Sequence, residues 1–257
     1  MKAWVCSEIG RVRKINEDSF FASKNGDKIP VFIVADGMGG HKAGDVASRL
    51  AVNSVIEYLE STSLEGNSND EITQIIRQAF NYSNSKVFEM SLKDLNCQGM
   101  GTTLTMALIV ENCLYIGHIG DSRAYVYSDG KLIQLTQDHS LVAELVRNGE
   151  LTKNEARNHP QRNIITRALG TDSYVEVDII TRCLNPDDLV ILCSDGLTNM
   201  ICDSELEQII CAYKNNIEKL PCVLTELANE RGGYDNITVM VIENDDSSIA
   251  RRGRNGR

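Results

Sequence analysis

The stretch Val31-Phe32-Ile33-Val34-Ala35-Asp36-Gly37-Met38-Gly39-Gly40 decides how the chain is read. From Ile29 to Ala35 the residues are almost all apolar, and the run is too short for a core helix, so it reads as a strand buried on both faces. It stops at Asp36, followed by glycines that let the backbone turn sharply. Beyond it, from Gly44 to Glu60, Ala47, Leu50, Ala51, Val55, Tyr58 and Leu59 recur at helical spacing and make one apolar face. A buried strand therefore carries a carboxylate to its end, and an amphipathic helix follows.

Working outward, the same device recurs. The apolar run Leu189 to Cys193 ends in Ser194-Asp195-Gly196, Gly120-Asp121 follows the run Cys113 to Ile119, and Asp235-Asn236 opens the run to Ile242. Glu17-Asp18 lies near the first strand. Acidic residues from distant parts of the chain thus sit at strand ends. Gathered in space they would repel one another unless a cation neutralised them, and hard divalent ions such as Mg²⁺ and Mn²⁺ prefer such oxygen ligands. Two such ions roughly 4 Å apart stabilise charge during in-line displacement at phosphorus. Each Asp-Gly taken singly is also a common turn dipeptide, so spacing alone indicates no more than a metal site.

The intervening segments complete an α+β pattern. Ser68 and Glu71 have capping-box spacing and start a second helix reaching to about Met90. Thr102 to Val110, Cys113 to Ile119, Arg123 to Tyr127 and Lys131 to Leu135 read as strands, the last two joined by Ser128-Asp129-Gly130, a hairpin turn. Short helices are expected over Leu141 to Asn148, with Asp138 and His139 as its cap, and over Thr152 to Asn158. Later helices cover Glu205 to Tyr213 and Ile217 to Glu230. Strands outnumber regular βαβ crossovers, which favours a layered α+β fold over a doubly wound parallel sheet.

Composition narrows the function. A formal charge of −10 argues against a nucleic-acid groove, and the arginines at 251, 252, 254 and 257 leave the rest more acidic still. With 5% aromatic residues the core must rest on aliphatic side chains. The eight cysteines are scattered without a CxxC pair, and the N-terminus lacks a secretory h-region, so free, mostly buried thiols in the cytoplasm are expected. No 18-residue apolar window exists, so no membrane segment is expected. Neither the four histidines nor the cysteines show zinc-ligand spacing.

Taken together, several motifs resemble the bacterial form of the protein phosphatase 2C family: Arg13-Lys-Ile-Asn-Glu-Asp18, Val34-Ala-Asp-Gly-Met-Gly-Gly-His-Lys-Ala-Gly44, Gly101-Thr-Thr103, Ile119-Gly-Asp-Ser-Arg-Ala124, Leu135-Thr-Gln-Asp-His-Ser140, Ile165-Thr-Arg-Ala-Leu-Gly170, Leu192-Cys-Ser-Asp-Gly-Leu197 and Asp235-Asn-Ile-Thr238. They occur in the family's order across residues 1–243. The resemblance implies a four-layer αββα sandwich, two antiparallel sheets flanked by helices, with a variable flap at about 148–169 and a polar, disordered tail at 244–257. It implies a serine/threonine phosphatase acting on phosphorylated proteins by attack of a hydroxide that bridges two divalent cations, Mn²⁺ or Mg²⁺, with a third, weaker site. Asp36 would bridge the two ions and Gly37 would offer its carbonyl to one. Asp195 and Asp235 would complete the other, Glu17 and Asp18 would hold metal-bound water, and Asp121 would serve the third ion. Arg13 would hold the substrate phosphate. Met38 stands where some eukaryotic members carry a histidine proposed as general acid, which leaves water as the expected proton donor. The nearby His41 is expected to have no role. A monomer opposing a serine/threonine kinase is the family-like expectation.

Overall fold

The structure is a computed structural model describing residues 1–24, 26–39 and 43–244. In chain order the strands and helices are β1 (Lys2–Glu8), β2 (Asp18–Ala22), β3 (Val31–Met38), α1 (Ala43–Glu60), α2 (Asn69–Lys93), β4 (Gly101–Thr102), β5 (Leu104–Val110), β6 (Cys113–Ile119), β7 (Arg123–Ser128), β8 (Lys131–Gln134), α3 (Leu141–Arg147), α4 (Lys153–Arg157), β9 (Asp178–Cys183), β10 (Leu189–Cys193), α5 (Asp195–Thr198), α6 (Asp203–Tyr213), α7 (Leu220–Glu230) and β11 (Ile237–Glu243). One sheet runs β1-β11-β10-β7-β8. The other runs β2-β3-β5-β6-β9, with β4 added beside the end of β3. Every pairing is antiparallel.

Period-two alternation sorts the side chains into three apolar layers. On β3, Ile33 and Ala35 face α1 and α2, and Phe32 and Val34 face the opposite sheet. On β11, Val239 and Val241 face α6 and α7, and Met240 and Ile242 face inward. The central strands are thus covered on both faces, which is why they are near-continuous apolar runs. The result is the αββα sandwich. Phe32, Phe80, Tyr115 and Tyr125 are among the largest fully buried side chains, whereas Phe20, Tyr174 and Tyr234 are exposed.

Local chemistry sets the element ends. The Ser68–Glu71 capping box is formed, and α2 runs on to Lys93, a turn beyond the expected end. The β7–β8 hairpin has Asp129 and Gly130 both at positive φ, as a tight two-residue turn requires. Three strands are not evident in the sequence pattern: β1, β2 and β9 are only half-buried along most of their length and carry mixed residues. The cap of α3 is Ser140, which accepts from the Ala143 N–H, rather than Asp138 or His139. The expectation of mostly buried thiols is also corrected: all eight cysteines are free, yet only Cys97 and Cys193 are buried and Cys183, Cys211 and Cys222 are exposed. Among the described residues no helix is long and apolar enough to cross a membrane. His41 and the tail from 245 onward lie outside the described residues.

Candidate metal centre

The strand that opens the sequence reading also organises the site. On β3, Asp36 sits directly across from Asp18 on β2. Like charges facing each other across a pair of strands destabilise it, so this pairing calls for a compensating partner. The Asp36 backbone is fixed on its other side: its N–H donates to Thr103 Oγ1 at 2.9 Å, and its carbonyl accepts from the Thr103 N–H and the Thr102 hydroxyl, each at 2.9 Å. This clasp interrupts the expected continuous strand Thr102 to Val110 and divides it into β4 and β5. Next to it, a Cβ on Gly37 would lie 2.1 Å from the Gly44 carbonyl and 2.7 Å from that of Glu17, so only glycine lets the three segments meet.

Four more carboxylates converge on Asp36. Asp18 accepts from Ser194 Oγ at 2.8 Å and Thr238 Oγ1 at 2.7 Å through Oδ2. Asp195, the first residue of α5, accepts from Asn199 Nδ2 at 2.9 Å. Asp121 follows β6, and Asp235 precedes β11. Burial pushes the Asp36 carboxyl well above its ordinary range, and the charges of Asp18, Asp195, Asp121 and Asp235 raise it further. Burial likewise raises Asp18 to about 7 and Asp195 to about 6, and it raises Asp121 strongly.

The donor chemistry fits divalent cations. The buried oxygens Asp18 Oδ1, Asp121 Oδ1 and Asp195 Oδ1 have no hydrogen-bond partner, although buried polar atoms nearly always have one. All are hard carboxylate oxygens, suited to Mg²⁺ or Mn²⁺ rather than to a soft ion. Among the described residues no three His, Cys, Asp or Glu side chains are placed to hold a metal ion by themselves. Water and main-chain oxygen would complete the shell of an ion held here, as Mg²⁺ ordinarily requires.

Arg13 and Glu17 flank the cluster. Arg13 Nη2 donates to Asp235 Oδ2 at 2.7 Å, and this bond is the main reason its guanidinium is held above its ordinary pKa. About half of the Arg13 side chain remains exposed. Its loop is stapled to the turn before β11. The Arg11 N–H donates to the Gly233 carbonyl at 2.7 Å, and Gly10, at φ +84°, passes so close to the Asp235 carbonyl that a Cβ would stand 2.2 Å from it. The Glu17 carboxylate lies against Gly44 near the start of α1, and burial raises its pKa against the pull of Arg13.

Sequence reading did not single out the supporting residues. Asn236 donates to the carbonyls of Ile9 and Ile15, each at 2.9 Å, and accepts from the Glu17 N–H at 2.8 Å. Ser194, Thr238 and Asn199 hold the Asp18 and Asp195 carboxylates. Their neighbours Asp195 and Asp235 were the available signal, since all lie within four residues of one of them. Ser122 and Arg123 hold the Asp121 loop, through Thr103 at 2.8 Å and Asp138 at 2.7 Å. Cys193 is fully buried, and burial raises its thiol to about 12, which suits inert packing. His118 and His139 stack 4.9 Å apart beneath the same loop, and His139 Nδ1 accepts from the Gly120 N–H.

Comparisons with known proteins agree with this architecture. Residues 11–245 match the family described as protein phosphatase 2C. The chain is 42% identical over 255 residues to a serine/threonine phosphatase, stp, of Listeria monocytogenes, covering 99% of both chains. The solved serine/threonine phosphatase of S. agalactiae superposes with a TM-score of 0.86 at 35% identity, over 95% of this chain and 99% of that one. The catalytic domain of the phosphatase PstP, solved in complex with two manganese ions, gives a TM-score of 0.81 at 34% identity, over 93% and 96%. With the family match over residues 11–245 and its fold and nearly its whole length shared with these proteins, the chain belongs to the protein phosphatase 2C family.

Proposed function

We propose that the protein is a metal-dependent phosphatase that removes phosphate from phosphoserine and phosphothreonine in other proteins. The observation that carries the reading is the convergence of Asp18, Asp121, Asp195 and Asp235 on Asp36, with buried oxygens left unpartnered. The relatives' names support the substrate class, and the neighbour with two manganese ions supports the metal. Asp36, the Gly37 carbonyl, Asp195 and Asp235 would hold two divalent ions, Mn²⁺ or Mg²⁺, and Asp121 a third, with Asp18 and Glu17 orienting water around them. When bound, such ions supply Lewis acidity and a nucleophilic water at neutral pH.

The chain's own residues do the positioning. Arg13 spends one nitrogen on Asp235, so its remaining donors can grip phosphate oxygens from the exposed side. Because its loop and the Asp235 turn are one unit, phosphate held by Arg13 is placed against the carboxylate cluster. Asp18, held by two hydroxyls through Oδ2, keeps Oδ1 turned inward as a fixed acceptor. No serine or cysteine nucleophile is required. The protein is proposed to act in the cytoplasm as a monomer, opposing a serine/threonine kinase.

Phosphate release from a phosphothreonine peptide, with added Mn²⁺ or added chelator, tests this reading. Release with Mn²⁺ and its loss with chelator are expected, with Mg²⁺ as the alternative ion. Asp36→Ala should abolish turnover. Retained turnover in folded, metal-supplied Asp36→Ala protein would sink the assignment.

A further inference from the structure

Beside the carboxylates a cleft of about 660 Å³ opens, with Asp121 and Asp195 at its inner end and the 148–169 segment along its far side. Of its carboxylates, Asp138 and Asp203 are both used by Arg123. Arg147, Lys153, Arg157 and Arg162 also line the cleft, with the apolar side chains of Val142, Val146 and Ala156. Arg147 donates to the Asp138 carbonyl at 3.3 Å and Arg162 to the Arg157 carbonyl at 3.0 Å. None of these four cations has an ion-pair partner among the described residues. The one carboxylate on α4, Glu155, is turned back onto Thr152 through bonds of 2.8 and 2.7 Å. Lys153, Ala156 and Arg157 occupy one face of α4, and that face is the one turned to the cleft. Arg157 reaches far enough across to act on the Cys202 thiol at the start of α6.

A protein of net charge −10 has thus placed four cations without an ion-pair partner among the described residues along one groove that also reaches Asp121 and Asp195. Resting on the phosphatase reading, we propose that this cleft receives the stretch of substrate chain next to the phosphorylated residue and selects stretches bearing anionic side chains. Carboxylates and further phosphates share the chemistry that Arg147, Lys153, Arg157 and Arg162 recognise. The apolar strip between the cations accommodates the alkyl parts of those residues.

The test uses the full, Mn²⁺-supplied chain and phosphothreonine peptides that differ only in the flanking residues: Glu, Gln, Lys, or a second phosphothreonine. The Glu peptide should exceed the Gln peptide in kcat/KM by about three- to tenfold, chiefly through KM, as expected for a few partly exposed ion pairs. The Lys peptide should be poorest, and the spread should shrink as salt rises. In Lys153→Gln/Arg157→Gln protein the Glu-to-Gln ratio should fall towards one. A preference for the second phosphothreonine without one for Glu supports the cleft and assigns it to phosphate. Equal hydrolysis of all peptides by the wild type, or a preference that survives in the double variant, overturns the proposal while leaving the phosphatase reading intact. Hydrolysis of none of them overturns both.

Discussion

At the scale of single residues, the cluster pairs strain with support. Asp18 is buried opposite Asp36 and held by two hydroxyls, and under the proposed function it would orient ligands of the metal shell. Asp18→Asn should weaken Mn²⁺ binding by about 10–100-fold, the usual effect of losing an outer-shell partner, as read by calorimetric titration. An unchanged affinity would remove Asp18 from the metal's surroundings. His118 makes a separate case. Burial, helped by the neighbouring His139, lowers its pKa from 6.5 to about 4, although Asp138 and Asp178 act in the opposite direction. Between those values the unfolded chain binds a proton that the fold does not, so stability is complete above pH 6.5 and falls as the pH drops towards 4. The loss is on the order of 3 kcal/mol. Denaturant unfolding of the wild type and of His118→Gln at pH 7 and pH 4.5 should show a smaller acid-induced loss in the variant. Equal losses would show that His118 is not the group responsible. Both histidines pack against the loop of Asp121; His118 lies within the buried run of β6, but its partners and those of His139 are set only by tertiary contacts.

At the scale of elements, the join between the loop before β2 and the start of β11 carries the site. Asn236 makes three bonds to residues 9, 15 and 17, fixing Arg13 and Glu17 relative to Asp235. Asn236→Ala should cost roughly 2–4 kcal/mol, at about 1 kcal/mol for each lost bond, and should raise KM for phosphopeptide by loosening Arg13. Denaturant unfolding and steady-state kinetics check both parts, and a stable variant with wild-type KM would refute the stapling role. The start of α2 was legible, since the Ser68–Glu71 box forms as read, whereas its end and the cap of α3 were not. The buried strands β3, β5, β6, β10 and β11 were legible too, because burial on both faces writes itself as an apolar run. β1, β2 and β9 were not, since their half-buried residues leave no clean alternation. The break at Thr103 was equally hidden, because it arises from a clasp on Asp36 a long way off in the chain.

At the scale of the whole molecule, carboxylates from both sheets meet at one end of the sandwich. Repulsion among them opposes folding until cations are present, so metal binding should stabilise the native state by mass action. Chelation should lower Tm by several degrees, and Mn²⁺ should restore it in a concentration-dependent way. A chelator-insensitive Tm in scanning calorimetry, with metal shown to have left, would argue against ions held at Asp36. The sequence by itself determined the carriers: apolar strands with Asp36, Asp121, Asp195 and Asp235 at their ends or starts, the glycines beside the first three, and a set of motifs specific enough to imply the family. Period-two burial and turn chemistry are local, so they can be read from the chain. Only the tertiary structure decided that Asp18 faces Asp36, that Arg13 bonds Asp235, that Asn236 joins the two, and that cations of α3 and α4 line a groove leading to the same place. Those relations depend on strand register and sheet packing between residues far apart in sequence, which no local pattern encodes.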